Sequence, residues 1–415
     1  MKKDTYQDKL DRIIGIEEVA TLLFHEDDPG KWLCPFHADR HPGSFKVFRI
    51  NQRFKCFSCG AFGGSIRLTM QVKNCSFQEA VQWLSTQKGH SVSLPKKERV
   101  PELCSVILRD PVYRKLMMGM SLKDPKYLAL TDSDRIYLHD RGISDEMIVR
   151  YGYFTMPDRT ILPHLVHNLS LLGITEEELM YVPGFYRHRR DGRIDMVAPN
   201  GIGIPIHDHN GRVVAIQVRK YKVHSGENRY VWFSSGWLYE NAVAREMFMG
   251  GASSGSPIDV ISGSGNVLAL TEGNFKAVIL KTRFTGMIWS LQGVGMQREL
   301  VGLLEEQKEL HTVYLAFDAD HVINKQVYKH IVQAGKKCME YCRKVEVLCW
   351  NFEEGKGIDD ALLKGVAVYS VPFAAFCKEN DKYWQDNEAK SDEEKMRAYA
   401  KGPKVRLHRK KYRVL

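Results

Sequence analysis

The chain has 415 residues, of which 44% are hydrophobic and 27% are charged, and its formal net charge is +10. A chain of this length is expected to form about two to four domains, and its composition excludes a disordered or fibrous protein. The first residues lack the apolar core of a signal peptide, and no later stretch suits a membrane span, so we predict a cytoplasmic protein without a membrane partner. The positive charge favours a polyanionic partner.

The first predicted domain, residues 1–86, contains two closely spaced pairs of metal-binding side chains. Cys34 and His37 are separated by two residues, and so are Cys56 and Cys59. Each pair suits one tight turn, and the chain between the pairs is long enough for a strand out and a strand back. Four ligands can therefore close a tetrahedron around Zn²⁺. A complete ligand set leaves no open position, so the predicted site is structural.

The same segment holds further candidates for metal and nucleic-acid binding. His41 and Cys75 are alternative ligands. Aromatic and basic residues alternate around the ligands, so a pair of strands would separate a basic face from an aromatic one. The aromatic face suits either the stacking of single-stranded bases or the small core of the domain. The residues involved are Phe45, Phe48, Phe54 and Phe57, with Lys46, Arg49, Arg53 and Lys55.

Three motifs in this domain carry a family resemblance. They read CPFHADRHPGSFKV, KCFSCGAFGGSIRLTM and SFQEAVQWL, and the last predicts a helix capped by Ser76. Together they closely resemble the N-terminal zinc-binding domain of DnaG-type bacterial primases. The resemblance implies that this domain helps to recognise a single-stranded template and its initiation site.

A polar, basic stretch that contains proline predicts a linker at residues 87–101, followed by a second domain at residues 102–265. Its first part is predicted to be mostly helical, with a break at Gly142 and with Ser144 as the cap of the next helix. In its second part, two β-type runs flank His209-Asn210-Gly211, which predicts a hairpin.

Two stretches of this second domain resemble the primase polymerase core. YLHDRGISDEMIVRYGY is similar to the start of that core, and the hairpin together with NRYVWFSS is similar to the subdomain that offers a basic surface to template and nucleotide. The resemblance implies that Arg219, Lys220 and Arg229 bind nucleic acid or nucleotide. The alternative is that these residues form an ordinary solvated basic face.

Residues 266–365 alternate strand-like apolar runs with helical patterns, which predicts an α/β domain with a mainly parallel sheet. Glu272, Asp318 and Asp320 each follow such a run, and the carboxyl ends of parallel strands open onto one edge of a sheet. Clustered carboxylates repel one another unless a cation lies among them, so we predict a site for Mg²⁺ or Mn²⁺. Such a metal would activate a hydroxyl or water and neutralise a phosphate.

The order of these acids, with GVG at residues 293–295 after an intervening strand, resembles the TOPRIM domain. DnaG-type primases, topoisomerases and certain nucleases share this metal-binding fold. The resemblance implies that Asp359, in EEGKGIDDALL, is a further metal ligand. The sequence departs from the primase pattern at Lys276 and Gly357, where that family has acids, and this loss lowers the expected number of bound metals. Lys276 is predicted either to contact phosphate or to lie on the solvent face of its helix.

The last predicted segment, residues 366–415, is a helical and basic C-terminal tail. It ends in KGPKVRLHRKKYRVL, which contains no acidic residue. Two interpretations fit this composition: a solubilising end, or an electrostatic clamp on a nucleic-acid backbone.

The resemblance spans about residues 30–365 and implies a multidomain α/β protein. Its parts are an N-terminal zinc ribbon, a mixed α+β middle domain and a TOPRIM-like α/β domain. The implied activity is the synthesis of short RNA primers from ribonucleotides on single-stranded DNA, with structural Zn²⁺ and catalytic Mg²⁺ or Mn²⁺. No helicase-binding domain is recognised after residue 365, so we expect a shortened form, as in phages or mobile elements, with a replicative helicase acting in trans.

Two other functions suit the same sequence. A TOPRIM nuclease or topoisomerase-like enzyme would use water or a tyrosine as the nucleophile, and Tyr314 and Tyr328 are the nearest tyrosines in the chain. A non-catalytic, primase-like DNA-binding protein of replication would keep the architecture without the reaction.

Overall fold

The computed structural model divides into two compact units, Met1–Arg99 with Trp237–Phe248, and Val100–Gly236 with Met249–Leu415. Within them the structure describes residues 15–24, 32–39, 43–50, 52–75, 77–87, 104–119, 129–224, 227–240, 242–292, 297–307 and 309–401. The five-segment division predicted from the sequence stays a prediction. His41, Ser76, the GVG at 293–295 and most of the basic end lie outside the described residues.

The elements follow in chain order. Up to residue 151 they are α1 (Ile16–Phe24), β1 (Phe45–Phe48), β2 (Arg53–Cys56), β3 (Phe62–Gly63), α2 (Ser65–Lys73), α3 (Phe77–Gln87), α4 (Val106–Met118), α5 (Asp132–Asp140) and α6 (Asp145–Tyr151). Up to residue 249 they are β4 (Phe154–Thr155), a 3₁₀ turn (Arg159–Ile161), α7 (Leu162–Ser170), α8 (Glu176–Leu179), β5 (Phe185–His188), β6 (Ile194–Met196), β7 (Gly201–His207), β8 (Val213–Lys220), β9 (Tyr230–Trp232), α9 (Trp237–Glu240), α10 (Ala242–Met247) and β10 (Phe248–Met249).

The remaining elements form the α/β region and the helices that follow it. They are β11 (Asp259–Ile261), β12 (Val267–Glu272), α11 (Asn274–Lys281), β13 (Met287–Leu291), α12 (Gln297–Glu306), β14 (Thr312–Ala316), a 3₁₀ turn (Ala319–Val322), α13 (Lys325–Tyr341), β15 (Lys344–Cys349), α14 (Ile358–Leu363), β16 (Tyr369–Pro372), α15 (Phe373–Asn387) and α16 (Asp392–Lys401).

The first unit is built on a three-stranded antiparallel sheet of β1, β2 and β3. Phe45 and Phe54 stack with ring centroids 5.3 Å apart and are almost completely buried with Trp32. The predicted helix is confirmed as α3, and its residues Ala80, Val81 and Leu84 are buried in the same core. A core this small buries little apolar surface, so an additional source of stability is expected.

The middle of the chain forms a four-stranded antiparallel sheet in the order β4-β7-β8-β9. The predicted hairpin is confirmed, because β7 and β8 pair across the turn that contains His209-Asn210-Gly211. Asp208 Oδ1 accepts hydrogen bonds from the backbone N–H groups of Asn210 and Arg212, and Gly211 has a φ of +73°. The helix cap is also confirmed, since Ser144 accepts a hydrogen bond from Met147 N–H at the start of α6.

The α/β region contains a six-stranded sheet in the order β11-β13-β12-β14-β15-β16. The four central strands are parallel, and the two edge strands run antiparallel to their neighbours. The predicted fold class is confirmed: a zinc-ribbon unit, a mixed α+β middle region and a TOPRIM-like α/β region with a mainly parallel sheet. Two edge strands were not predicted. β11 precedes residue 266, where the α/β domain was expected to start, and β16 lies in the expected helical tail. Both strands escaped the sequence analysis because three or four residues carry too little periodicity to be recognised.

A buried polar network connects the middle sheet to the start of α11. The Asp259 carboxylate is completely buried and accepts hydrogen bonds from His207 N–H (2.8 Å) and from Asn274 Nδ2 (2.7 Å). The Tyr153 hydroxyl donates to Asn274 Oδ1. Buried polar groups are costly unless paired, so these contacts hold the first residue of α11 against β11 and β7. Among the described residues, no helix is both long and apolar enough to cross a bilayer.

We expect Leu270→Ala to lower the free energy of unfolding of the second unit by about 2–5 kcal/mol, because it leaves a cavity in the central strand. Leu270 is fully buried between Trp289 and Leu315 of the neighbouring strands. Calorimetry of the full chain would measure this loss. Leu172→Ala is the control, since Leu172 is 52% exposed and its truncation should change stability by less than about 0.5 kcal/mol. Equal losses in both variants would contradict the packing described above.

Candidate functional site

The four predicted zinc ligands lie together in the first unit. Cys34 and His37 flank one turn, Cys56 ends β2, and Cys59 lies in the turn before β3, and one ligand atom of each falls within 4.8 Å of all the others. Cys34 Sγ and Cys59 Sγ are 3.7 Å apart, and Cys56 Sγ and His37 Nδ1 are 3.9 Å apart. These distances match the edge of a zinc tetrahedron, about 3.8 Å for Zn–S bonds of about 2.3 Å.

Neighbouring groups orient these ligands and alter the pKa values of the cysteine thiols. The Asp39 carboxylate lies 3.8 Å from His37 Nε2, which leaves Nδ1 facing the sulfur atoms, and it accepts a hydrogen bond from Cys34 N–H (3.1 Å). Burial raises the pKa of Cys34, whereas hydrogen bonds from the backbone N–H groups of Cys59 and Ser58 outweigh burial and lower the pKa of the neighbouring Cys56. Four donors suffice for a tetrahedron, which supports the predicted structural zinc, whereas the assignment of the individual ligands stays a prediction for this cluster. Cys75 is not part of it, and its sulfur lies 3.9 Å from the Thr69 carbonyl oxygen.

The aromatic residues of this unit divide between the two predicted roles. Phe45 and Phe54 belong to the core, whereas Phe57 and Phe62 are each 59% exposed. The Lys55 ammonium lies 5.1 Å from the centroid of the Phe57 ring, and the Arg67 guanidinium carbon lies 5.1 Å from that of Phe62. The unit therefore presents exposed rings beside cations, a combination that suits stacked bases and phosphates.

We expect Cys56→Ser to lose the bound zinc and to unfold the first unit, because metal binding supplies much of the folding free energy of such small domains. Zinc content by plasma mass spectrometry and near-ultraviolet circular dichroism would measure both effects. Cys75→Ser removes a thiol outside the cluster and should keep a full equivalent of zinc. Retention of zinc by Cys56→Ser would contradict the assignment.

The predicted carboxylates meet at one edge of the six-stranded sheet. Glu272 is the last residue of β12, and Asp318 and Asp320 follow the neighbouring parallel strand β14. Gly273 has a φ of +80°, a backbone conformation that favours glycine, and it turns the chain from β12 directly into α11. Burial raises the pKa of Glu272 above its ordinary value, and the charges of Asp318 and Asp320 raise it further against the opposite influence of two lysines.

Those two lysines neutralise the acids. Lys276 follows Glu272 by one helical turn, its side chain is only 20% exposed, and its ammonium group donates to Asp318 Oδ1. Lys356 Nζ lies 2.7 Å from Asp320 Oδ2 and 3.9 Å from Asp318 Oδ2, and its side chain is 58% exposed. The expectation that Lys276 lies on the solvent face of its helix is wrong, because its ammonium group faces the carboxylates, and its predicted contact with phosphate stays a prediction.

Asp359 lies beside Lys276 and forms a second buried ion pair. Its residue is 2% exposed, and Arg141 Nη2 lies 2.6 Å from its Oδ2. Burial raises the pKa of Asp359, and the Arg141 charge opposes that rise. A Cβ atom added to Gly357 would lie 2.3 Å from Asp359 Oδ1 and 3.1 Å from Lys276 Cε. An acidic side chain at position 357 would therefore compete for the space that these two residues occupy.

Two carboxylate oxygens at this edge favour a metal ion. Asp320 Oδ1 and Asp359 Oδ1 are buried and have no hydrogen-bond partner among the described residues. A buried carboxylate oxygen without a partner is costly, and hard oxygen donors suit Mg²⁺ or Mn²⁺. These donors suit a divalent cation chemically, but they would have to close around it after Lys356 turns away from Asp320. Among the described residues, the Cys/His cluster is the group that already has three or more ligand atoms within 4.8 Å of one another. The metal ligands Glu272, Asp318, Asp320 and Asp359 stay a prediction.

Two residues of this site were missed from the sequence. Lys356 stands immediately before Gly357, and its backbone carbonyl oxygen accepts a hydrogen bond from Ala319 N–H (3.0 Å), which holds it beside the acids. Arg141 lies in the stretch YLHDRG, and that resemblance to the primase core was the available signal. Neither contact follows from spacing, because both partners are distant in the chain.

The predicted basic residues of the middle sheet have different surroundings. The Arg219 guanidinium stacks 4.2 Å from the centroid of the Tyr137 ring, and Lys220 Nζ pairs with Glu227 at 2.7 Å. Arg229 is exposed. Arg219 thus combines a cation with an aromatic ring at the surface, whereas Lys220 is partly neutralised; the nucleic-acid-binding role of all three stays a prediction.

Comparisons with known proteins agree with this architecture. Residues 7–100 match the family described as CHC2 zinc finger, and residues 260–368 match a domain of unknown function (DUF3854). The DNA primase of Thermotoga maritima is 28% identical over 327 residues, which cover 76% of this chain and 51% of the relative. The DNA primase of Synechococcus elongatus is 26% identical over 352 residues, which cover 81% and 47%. The chain spans about half the length of these curated relatives.

Among solved structures, the zinc-binding and RNA polymerase domains of the Aquifex aeolicus primase align over 98% of this chain and 94% of that chain. The sequence identity is 20% and the TM-score is 0.43. The resemblance to DnaG-type primases that the motifs indicated is confirmed by the matched zinc-finger family and the curated relatives.

We expect Gly357→Ala to destabilise the second unit by about 1–3 kcal/mol, because the added methyl group overlaps the buried Asp359 carboxylate. Thermal unfolding of the full chain would measure the loss. Gly302→Ala is the matched control: Gly302 lies within α12, has open space around its Cβ position, and should gain up to about 1 kcal/mol from helix propensity. An unchanged or higher melting temperature for Gly357→Ala would contradict this geometry.

Proposed function

We propose that this chain is a DNA primase that joins ribonucleotides into short RNA primers on single-stranded DNA. The observation that carries the proposal is the carboxylate edge, which holds acids from β12 and from the loop after β14. Two buried oxygens there have no hydrogen-bond partner in the part of the chain that the structure describes. The CHC2 zinc-finger match and the curated primase relatives support the same function. A replicative helicase acting in trans stays a prediction from the resemblance.

The reaction joins a primer 3′-hydroxyl to the α-phosphate of a ribonucleoside triphosphate and releases pyrophosphate and a proton. Glu272 and Asp320 would hold the divalent cation, which neutralises phosphate charge and makes the attacking hydroxyl more acidic when it is bound. The Lys356 side chain is 58% exposed, so its ammonium group would be able to exchange the contact with Asp320 for an incoming triphosphate. The exposed Phe57 and Phe62 rings and the stacked Arg219 offer surfaces for single-stranded bases and phosphates.

The tyrosine-dependent alternative receives no support from the surroundings of the two candidate nucleophiles. The Tyr328 hydroxyl donates to Asp381 Oδ1 at 2.6 Å, and burial raises its pKa above the ordinary value. Tyr314 packs edge-on against Phe284 at 5.8 Å, and burial also raises its pKa. Neither hydroxyl is prepared to lose its proton and attack phosphorus.

The experiment that tests the function incubates the zinc-loaded full chain with single-stranded DNA, labelled ribonucleotides and Mg²⁺ or Mn²⁺. We expect template-dependent short RNA, and we expect Glu272→Gln to reduce it at least about 100-fold, because the loss of a metal-holding carboxylate removes transition-state stabilisation. Glu340→Gln, at an exposed position of α13, is the matched control and should keep full activity.

Other products would identify other functions. Shortened DNA in place of RNA would indicate a nuclease, and tight DNA binding without either product would indicate a non-catalytic replication protein. RNA synthesis that persists undiminished in Glu272→Gln would place the reaction outside the carboxylate edge.

A further inference from the structure

Lys276 occupies an unusual position for a lysine, since its ammonium group is turned into a cluster of acids that is expected to bind metal. The side chain is 20% exposed, it donates to Asp318 Oδ1, and the Asp359 carboxylate lies nearby. Lysine side chains are rarely buried without a paired charge. The ammonium group therefore supplies positive charge at a place where clustered carboxylates require it.

Gly357 provides the room for this arrangement. A Cβ atom at position 357 would lie only 3.1 Å from Lys276 Cε, so a larger residue would press on the lysine chain that reaches Asp318. The two departures from the primase pattern thus meet in space. Lys276 stands where the primase pattern has one acid, and Gly357 stands where it has another. Because glycine has no side chain, Gly357 leaves room for the Lys276 side chain to reach Asp318.

The charges at this edge balance with a single divalent ion. Glu272, Asp318, Asp320 and Asp359 contribute four negative charges when ionised, and Lys276 and Arg141 neutralise two of them through their ion pairs with Asp318 and Asp359. One divalent cation balances the other two after Lys356 turns outward. A second divalent cation would leave an excess of two positive charges in a partly desolvated site, which is unfavourable.

We propose that Lys276 acts as a built-in cation in the place of one divalent metal ion, so that this edge binds a single divalent ion, held by Glu272 and Asp320. The inference rests on the proposed metal-dependent function of the same residues. It assigns Lys276 a positioning role toward Asp318, and it makes Gly357 the residue that permits this role.

The test is a titration of the zinc-loaded full chain with Mn²⁺ in the absence of DNA and nucleotide. Binding is measured by the electron paramagnetic resonance signal of free Mn²⁺ and by isothermal titration calorimetry. The wild type is expected to bind one Mn²⁺, and Glu272→Gln should abolish that binding. Lys276→Met is expected to bind Mn²⁺ at least about tenfold more tightly, because a neighbouring positive charge is removed. Lys276→Asp, which adds an acid, is expected to bind two.

Lys337→Met is the matched control, since it removes an exposed lysine of α13 and should leave both affinity and stoichiometry unchanged. Two Mn²⁺ ions bound by the wild type and lost in Glu272→Gln would overturn the inference. Weaker binding by Lys276→Met would also overturn it, and so would a wild type that binds no Mn²⁺ at millimolar concentration. If Lys276→Asp fails to fold, the Mn²⁺ affinity of Lys276→Met alone decides whether the inference holds.

The outcome is separable from that of the primer assay. A single Mn²⁺ site without RNA synthesis would leave the built-in cation standing and reject the primase function. RNA synthesis by a wild type that binds two Mn²⁺ ions would support the primase function and reject the role of Lys276 as a built-in cation.

Discussion

The constraint on which this site depends is electrostatic: carboxylates at the ends of β12 and β14, and at the start of α14, are brought to one partly desolvated edge. Acids in such a position repel one another and lose hydration, so each needs a positive partner. Lys276, Lys356 and Arg141 supply that charge from three separate segments of the chain. The requirement for neutrality thus joins distant elements of the chain.

The neighbouring polar network keeps these charges in place. Asp259 and Tyr153 hold Asn274, the first residue of α11, and Gly273 forms the tight turn that precedes it. The helix consequently projects Lys276 toward Asp318. Because buried polar groups that lose a partner are costly, this network resists rearrangement and gives the lysine a defined position. The same rigidity is what a single-metal site requires, since an unrestrained lysine would return to solvent.

The first unit meets a different constraint with a metal. Phe45 and Phe54 stack within a small core, and zinc held by the four ligands would add stability to it. Because the core needs only part of the aromatic side chains, Phe57 and Phe62 remain at the surface beside Lys55 and Arg67.

The sequence by itself determined the features that depend on local spacing: the two zinc-ligand pairs, the hairpin at Gly211, the cap at Ser144, and the acids at the strand ends. Local periodicity and turn chemistry are sufficient for these. Only the tertiary structure decided the partner of Lys276, 42 residues away, and that of Asp359, 218 residues away, as well as the short edge strands β11 and β16. The physical reason is that an ion pair or an edge strand depends on a partner that folding brings close. That partner is distant in the sequence, so local spacing and periodicity do not identify it.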